Sequence, residues 1–140
     1  MKKVLAFGAF DPLHEGHRDF LRQAKALGDY LTVIVARDSA IRAGKKYTPH
    51  TSEEMRLQEV ASVEYVDEAM LGSQAPHQYE LLEQLSFDVI ALGYDQQPED
   101  TAVRQELNNR GKHSVIIARL KPFHPETYKS TYIRRNRDAS

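Results

Sequence analysis

Ten residues near the start of the chain, Gly8-Ala9-Phe10-Asp11-Pro12-Leu13-His14-Glu15-Gly16-His17, gather groups that could act on an anion. Two imidazoles three positions apart fall on one side of a helical turn. Imidazole donates well to oxyanions and can carry charge near neutral pH. Gly8 and Gly16 let the backbone approach a phosphate chain closely. Three common arrangements do not fit the segment. A dinucleotide fingerprint needs three glycines as G-x-G-x-x-G, and only Gly8 and Gly16 are present. A phosphate loop of the Gly-Lys-Ser/Thr kind is absent, and a metalloprotease helix needs its second His four residues after the first, where Arg18 stands. A plain turn with two surface histidines, or a built phosphate site, is what remains.

The elements around the segment decide where it sits. Lys3 to Phe7 reads as a buried strand ended by Gly8. Phe20, Leu21, Ala24 and Leu27 mark the apolar face of a helix over Asp19 to Leu27, closed by Gly28-Asp29. That helix begins near Gly16, so its free N–H groups and positive dipole end face the strand tips, where an anion is favoured. Tyr30 to Ala36 is apolar and β-branched, a central strand covered on both faces. Arg42 to Thr51 has no period and reads as a loop. Thr51-Ser52-Glu53-Glu54 is a capping signature, followed by Met55, Leu57, Val60 and Ala61 on a helix that Arg56 opens. Further strands are expected at Glu64 to Leu71, Asp88 to Leu92 and His113 to Leu120. Further helices are expected at His77 to Leu85, Glu99 to Asn109 (ended by Gly111) and Ser130 to Arg135.

Strands separated by helices give right-handed βαβ units. The expected fold class is α/β: a single Rossmann-like, doubly wound, parallel five-stranded sheet with helices on both faces, in one domain over residues 1–140. Ligands of such sheets bind beyond the strand carboxyl ends, at the switch point. Gly8 to His17, Ala36 to Asp38 and Gly93 to Gln96 all stand there.

Composition narrows the function classes. Nineteen Lys and Arg against twenty Asp and Glu give a net charge of −1, unlike the clustered basic surface of a nucleic-acid coat. No cysteine is present, which excludes disulfide scaffolds, thiolate zinc sites, Cys nucleophiles and iron–sulfur clusters. No apolar run reaches the roughly 20 residues of a membrane span, and the N-terminus lacks a signal-peptide pattern. A cytoplasmic location, with no nucleic-acid or membrane partner, is expected.

The pattern G-x-F-D-x-x-H-x-G-H resembles the signature of the nucleotidyltransferase superfamily that includes cytidylyltransferases, phosphopantetheine and nicotinamide-mononucleotide adenylyltransferases, and archaeal FAD synthetases. Six fixed positions at about one residue in twenty would match by chance roughly once in 10⁷–10⁸ windows, so the pattern is specific. In that family the histidine pair contacts the nucleotide phosphates and stabilises the pentacoordinate transition state, a role the resemblance implies for His14 and His17. Lys129-Ser130-Thr131-Tyr132-Ile133-Arg134 resembles the family's second motif, which implies that Ser130, Thr131 and Arg134 hold the β- and γ-phosphates. Val33 to Asp38, Leu71-Gly72-Ser73 and Leu92-Gly93-Tyr94-Asp95-Gln96 resemble the archaeal FAD synthetase-like group. The resemblance adds Gly8, Ala9, Phe10, Asp11, Glu15, Gly16, Asp38, Gly93, Asp95 and Gln96 as nucleotide contacts. Family loops also place a Lys and an Arg over the triphosphate, which implies Lys45 or Lys46, and Arg56.

The implied reaction moves a nucleoside monophosphate from a triphosphate to a phosphorylated acceptor and releases pyrophosphate. The acceptor phosphate, with its second pKa near 6, is already anionic at neutral pH, so no general base is needed. No carboxylate cluster for a dedicated metal is visible, and Mg²⁺ is expected to arrive with the nucleotide. ATP and FMN are the expected substrates. CTP with glycerol-3-phosphate is the alternative, although the R-T-E-G-I-S-T version of the second motif is missing. A non-catalytic nucleotide-binding regulator is the competing class. The resemblance implies a homodimer.

Overall fold

The computed structural model describes residues 1–11, 13–45, 49, 51–72, 82, 84–93 and 100–121. Five strands, β1 (Lys3–Gly8), β2 (Tyr30–Val35), β3 (Glu68–Leu71), β4 (Val89–Leu92) and β5 (Ile116–Arg119), form one sheet. Its order is β3-β2-β1-β4-β5, and every neighbouring pair is parallel. Four helices are described: α1 (Glu15–Ala26), α2 (Asp38–Lys45), α3 (Glu53–Ala61) and α4 (Asp100–Asn109).

Alternation along the strands sorts the core into two layers, because successive side chains of a strand point to opposite faces. Val4, Ala6, Leu31, Val33, Val35, Val89 and Ala91 share one layer with Leu21 and Ala24 of α1 and Val60 of α3. Leu5, Ile34, Ile90 and Leu92 share the other with Leu82 and with Val103 and Leu107 of α4. Helices therefore cover both faces, and the winding changes direction between β1 and β4. That is the switch point of the expected doubly wound sheet.

Several boundaries differ from the sequence expectation. Helix α1 starts at Glu15, one residue before the expected start near Gly16 and a full turn before the apolar pattern read from Asp19, because His14 caps it. Residues 42–45, expected in a loop, belong to α2. Buried Ile41 anchors that helix, and its amide bonds to Arg37 O at 3.0 Å. Strand β3 is only four residues long, since Glu64 and Tyr65 lie in a turn whose Val66 amide reaches Val63 O at 3.1 Å. Strand β5 begins at Ile116 rather than His113, after a Val115-to-Lys112 turn. Gly111 ends α4 with φ +75, and Lys112 N–H bonds back to Leu107 O at 2.8 Å, a left-handed helix stop that favours glycine. The helix expected over His77 to Leu85 lies largely, and that over Ser130 to Arg135 wholly, outside the described residues.

Asp67 ties β3 into the sheet. Its Oδ2 accepts from Lys25 Nζ of α1 and, at 2.8 Å, from the Leu31 amide of β2. The Lys25 ammonium, with help from the Leu31 amide, holds the Asp67 carboxyl below the ordinary carboxylate pKa. A depressed native pKa gives stability that is present above the unfolded value and lost as pH falls through the native one. Asp67→Asn is therefore expected to unfold at lower urea than the parent protein at neutral pH. The gap should close as pH drops below the usual carboxylate range of about 4. Urea midpoints across a pH series check this, and a gap that stays constant into acid contradicts it.

Candidate active site

The carboxyl ends of the strands carry the site. Gly8, Ala36, Gly72, Gly93 and Leu120 follow or end the five strands in turn. The segment after β1 lies at the switch point and runs directly into α1.

Its two histidines are joined to the helix start and to each other. His14 is the N-cap of α1, with extended φ −142 and ψ −178, and its Nδ1 accepts from Gly16 N–H at 3.0 Å. His17, at the third helical position, accepts from the His14 backbone N–H through its own Nδ1 at 3.3 Å. This is a reciprocal capping box built from two imidazoles in place of the usual Ser/Thr and Glu/Gln. The rings stack, with centroids 3.8 Å apart and planes 24° from parallel. A ring nitrogen that accepts a backbone N–H bears no proton, so in each neutral ring the proton sits on Nε2. Two positive charges about 4 Å apart would also repel by about 4 kcal/mol at an effective dielectric constant of 20. The cap thus belongs to neutral rings, each with its proton on Nε2. Gly16 N–H, expected from the sequence to face the anion, is directed to the His14 ring instead.

A second cluster braces the turn. Arg56 is fully buried. Its Nε donates to Thr51 O at 2.9 Å, its Nη1 to Ala9 O at 3.0 Å and Ala36 O at 2.6 Å, and its Nη2 to Asp38 Oδ1 at 2.5 Å. Arg56 was expected over the triphosphate. The structure instead turns its donors onto the carbonyls that leave β1 and β2. Asp38 is likewise engaged within the protein: its N–H donates to Glu53 Oε1 at 2.8 Å, and its Oδ2 accepts from Glu53 N–H at 3.4 Å. Asp11 is 1% exposed and its Oδ1 accepts from Thr51 N–H at 2.9 Å. The buried Arg56 guanidinium is tolerated here because it meets four oxygen partners.

Some of the remaining expected residues are described by the structure. Phe10 is buried, Glu15 is exposed beside Arg18 at 3.8 Å, and Gly93 O accepts from Arg119 Nη1 at 2.6 Å. Lys45 closes α2. Lys46, Asp95, Gln96, Ser130, Thr131 and Arg134 lie outside the described residues. Sequence reasoning missed Arg37, which joins Gly72 O at 2.6 Å to Glu53 at 3.4 Å. It also missed Glu53, whose only signal was its place in the capping signature. Among the described residues no group of three His, Asp or Glu side chains could hold a metal ion. No described helix is long and apolar enough to cross a membrane.

A parallel doubly wound sheet with a histidine-lined turn at its switch point defines a nucleotide-handling α/β protein. Comparison with known proteins narrows the class. A family model described as Cytidylyltransferase-like matches residues 5–136. The chain is 49% identical over 117 residues to an FAD synthase of Methanosarcina barkeri, which covers 84% of this chain and 82% of that protein. It is 46% identical over 122 residues to an FAD synthase of Ferroglobus placidus, covering 86% of this chain and 78% of that one. The crystal structure of the lipopolysaccharide core biosynthesis protein from Thermoplasma volcanium superposes with a TM-score of 0.81 at 36% identity, covering 88% of this chain and 98% of that chain. The chain belongs to the cytidylyltransferase-like family. It is a nucleotidyltransferase of the FAD synthase-like kind.

Proposed function

We propose that the enzyme transfers AMP from ATP to the phosphate of FMN, making FAD and pyrophosphate. The supporting observation is the imidazole capping box at the switch point, in a chain whose curated relatives include FAD synthases. An FMN phosphate oxygen attacks the α-phosphorus in line, a new P–O bond forms, and the bond to the β-phosphate oxygen breaks. The acceptor is anionic at neutral pH, so no protein base removes a proton. The protein's work is to hold two anions together and to offset the charge that builds on the α-phosphoryl oxygens.

His14 and His17 meet that charge through Nε2–H. Lys45, Lys46, Arg134 and the Ser130-Thr131 amides take the β- and γ-phosphates, while Gly93, Asp95 and Gln96 meet the nucleoside. Gly8 and Ala9 bring backbone close to the phosphates, and Asp11, Asp38 and Arg56 hold the strand-end loops in place. The carboxylates of Asp11 and Asp38 are turned to Thr51 and Arg56, a poor set for a resident metal. Magnesium is therefore part of the substrate, entering as the ATP complex and easing charge on the leaving pyrophosphate.

Pyrophosphate release tests the reading, with ATP or CTP offered in turn with FMN or glycerol-3-phosphate. ATP with FMN is expected to release pyrophosphate and form FAD in equal amounts. Release only from CTP overturns the choice of nucleotide and acceptor. Stabilisation by a nucleotide with no release under any pairing overturns catalysis and leaves a binding protein.

A further inference from the structure

We propose that Phe10 is a positioning residue that sets the aim of His17, an inference that rests on the phosphoryl-transfer role given to His17 above. Among the described residues Phe10 is the one non-glycine with positive φ, at +55. That region costs an ordinary L-residue roughly 1–2 kcal/mol. Asn, Asp and Gly occupy it readily, and a bulky aromatic does so only where its surroundings hold it there.

The surroundings here do so from several sides. The Phe10 ring is 2% exposed and belongs to the core layer beneath α1. Gly8 leaves the space for it: a Cβ at position 8 would lie 2.7 Å from two atoms of the ring. The neighbours on either side are engaged, with the Ala9 carbonyl accepting from Arg56 Nη1 at 3.0 Å and the Asp11 side-chain Oδ1 from Thr51 N–H at 2.9 Å.

The ring also meets His17. Their centroids lie 5.1 Å apart with planes at 71°, an edge-to-face contact, a geometry that aromatic pairs favour. The second contact of the His17 ring is the stack on His14 at 3.8 Å. The imidazole is thus braced by Phe10 on one side and His14 on the other, while its Nδ1 is tied to the helix start. Returning Phe10 to an ordinary φ would swing its ring away and remove the edge-to-face contact from the His17 ring. The strain in the turn and the placement of the imidazole are one structural event. With its side chain buried, Phe10 offers a nucleotide its backbone only and acts on chemistry through His17.

Phe10→Leu keeps much of the volume and removes the ring edge; Phe10→Met serves if the leucine variant does not fold. Displacing a catalytic group by about 1 Å can cost roughly 10²-fold in rate. Either variant is expected to lose about tenfold or more in kcat per folded molecule, with KM for ATP within about twofold. The His17 ring signals in ¹⁵N-resolved spectra of the nucleotide-free protein should move as the ring contact is lost. Unchanged kcat overturns the proposal, and so does a lower kcat with unmoved His17 signals, which would make Phe10 a core residue alone. The spectra read the ring contact without substrate. If the parent protein releases no pyrophosphate under any pairing, the functional reading fails while the spectra still decide whether Phe10 places His17.

Discussion

His17→Ala is expected to lower kcat by about 10²–10³-fold, the usual loss when one preorganised donor to a developing oxyanion is removed. His14→Ala should lose as much in rate and also destabilise the fold, because its ring caps α1. Loss of an N-cap costs about 1 kcal/mol. The capping geometry lets the two roles be separated. In His14→Asn an amide oxygen can stand where Nδ1 accepts Gly16 N–H, and Asn is among the strongest N-caps. In His17→Gln the side-chain oxygen can accept the His14 amide as Gln does in an ordinary capping box. Both variants should melt near the parent temperature, and both should turn over slowly. Pyrophosphate release and thermal unfolding measured on the four variants decide the matter. Near-parent turnover in His14→Asn or His17→Gln would mean that the imidazoles cap the helix and do no chemistry.

The helix start shows how far the sequence could be read. The motif places an anion site after β1 because glycines, histidines and a following amphipathic run coincide. The strands Lys3–Gly8, Tyr30–Val35 and Val89–Leu92 follow from β-branched and apolar runs that bury both faces. The start of α1 near Gly16 was legible, but its cap was not, since histidine is not a usual N-cap and Leu13-His14-Glu15-Gly16 carries no apolar period. Helix α2 was hidden for another reason. It has eight residues, Gly44 lies inside it, and only Ile41 anchors it as a buried side chain among those described. Such a helix forms because tertiary contacts hold its start, here the Asp38–Glu53 exchange.

Position 56 was legible as important, but its partners within the protein were not. Arginine is almost never fully buried unless paired, so an Arg near a phosphate site reads as a ligand to phosphate. Burial became intelligible only when Ala9, Ala36, Thr51 and Asp38, far apart in sequence, met around one guanidinium. Long-range convergence of backbone carbonyls leaves no periodic trace in a chain.

Arg56→Met should therefore be among the most destabilising single changes in the protein. Methionine fills part of the volume but leaves the Asp38 carboxylate without its guanidinium and three carbonyls without their donor. Each buried acceptor left without its donor typically costs about 1–3 kcal/mol, and Asp38, 25% exposed, is partly rescued by water. Arg56→Lys should recover little, since one ammonium on a flexible stem cannot reproduce the planar fan of donors. The contrasting change is Arg18→Met: its pair with Glu15 is 3.8 Å long and both side chains are about half exposed or more. Such a pair contributes about 0–1 kcal/mol. Urea unfolding of the three variants should place Arg56→Met and Arg56→Lys well below the parent and Arg18→Met beside it. The same clamp holds Ala9, the residue that follows β1 and precedes Phe10, so any folded Arg56→Lys should also lose turnover through a loosened turn. An Arg56→Met protein within about 1 kcal/mol of the parent would show that the carbonyls find other donors and that the clamp is not what holds the strand-end loops together.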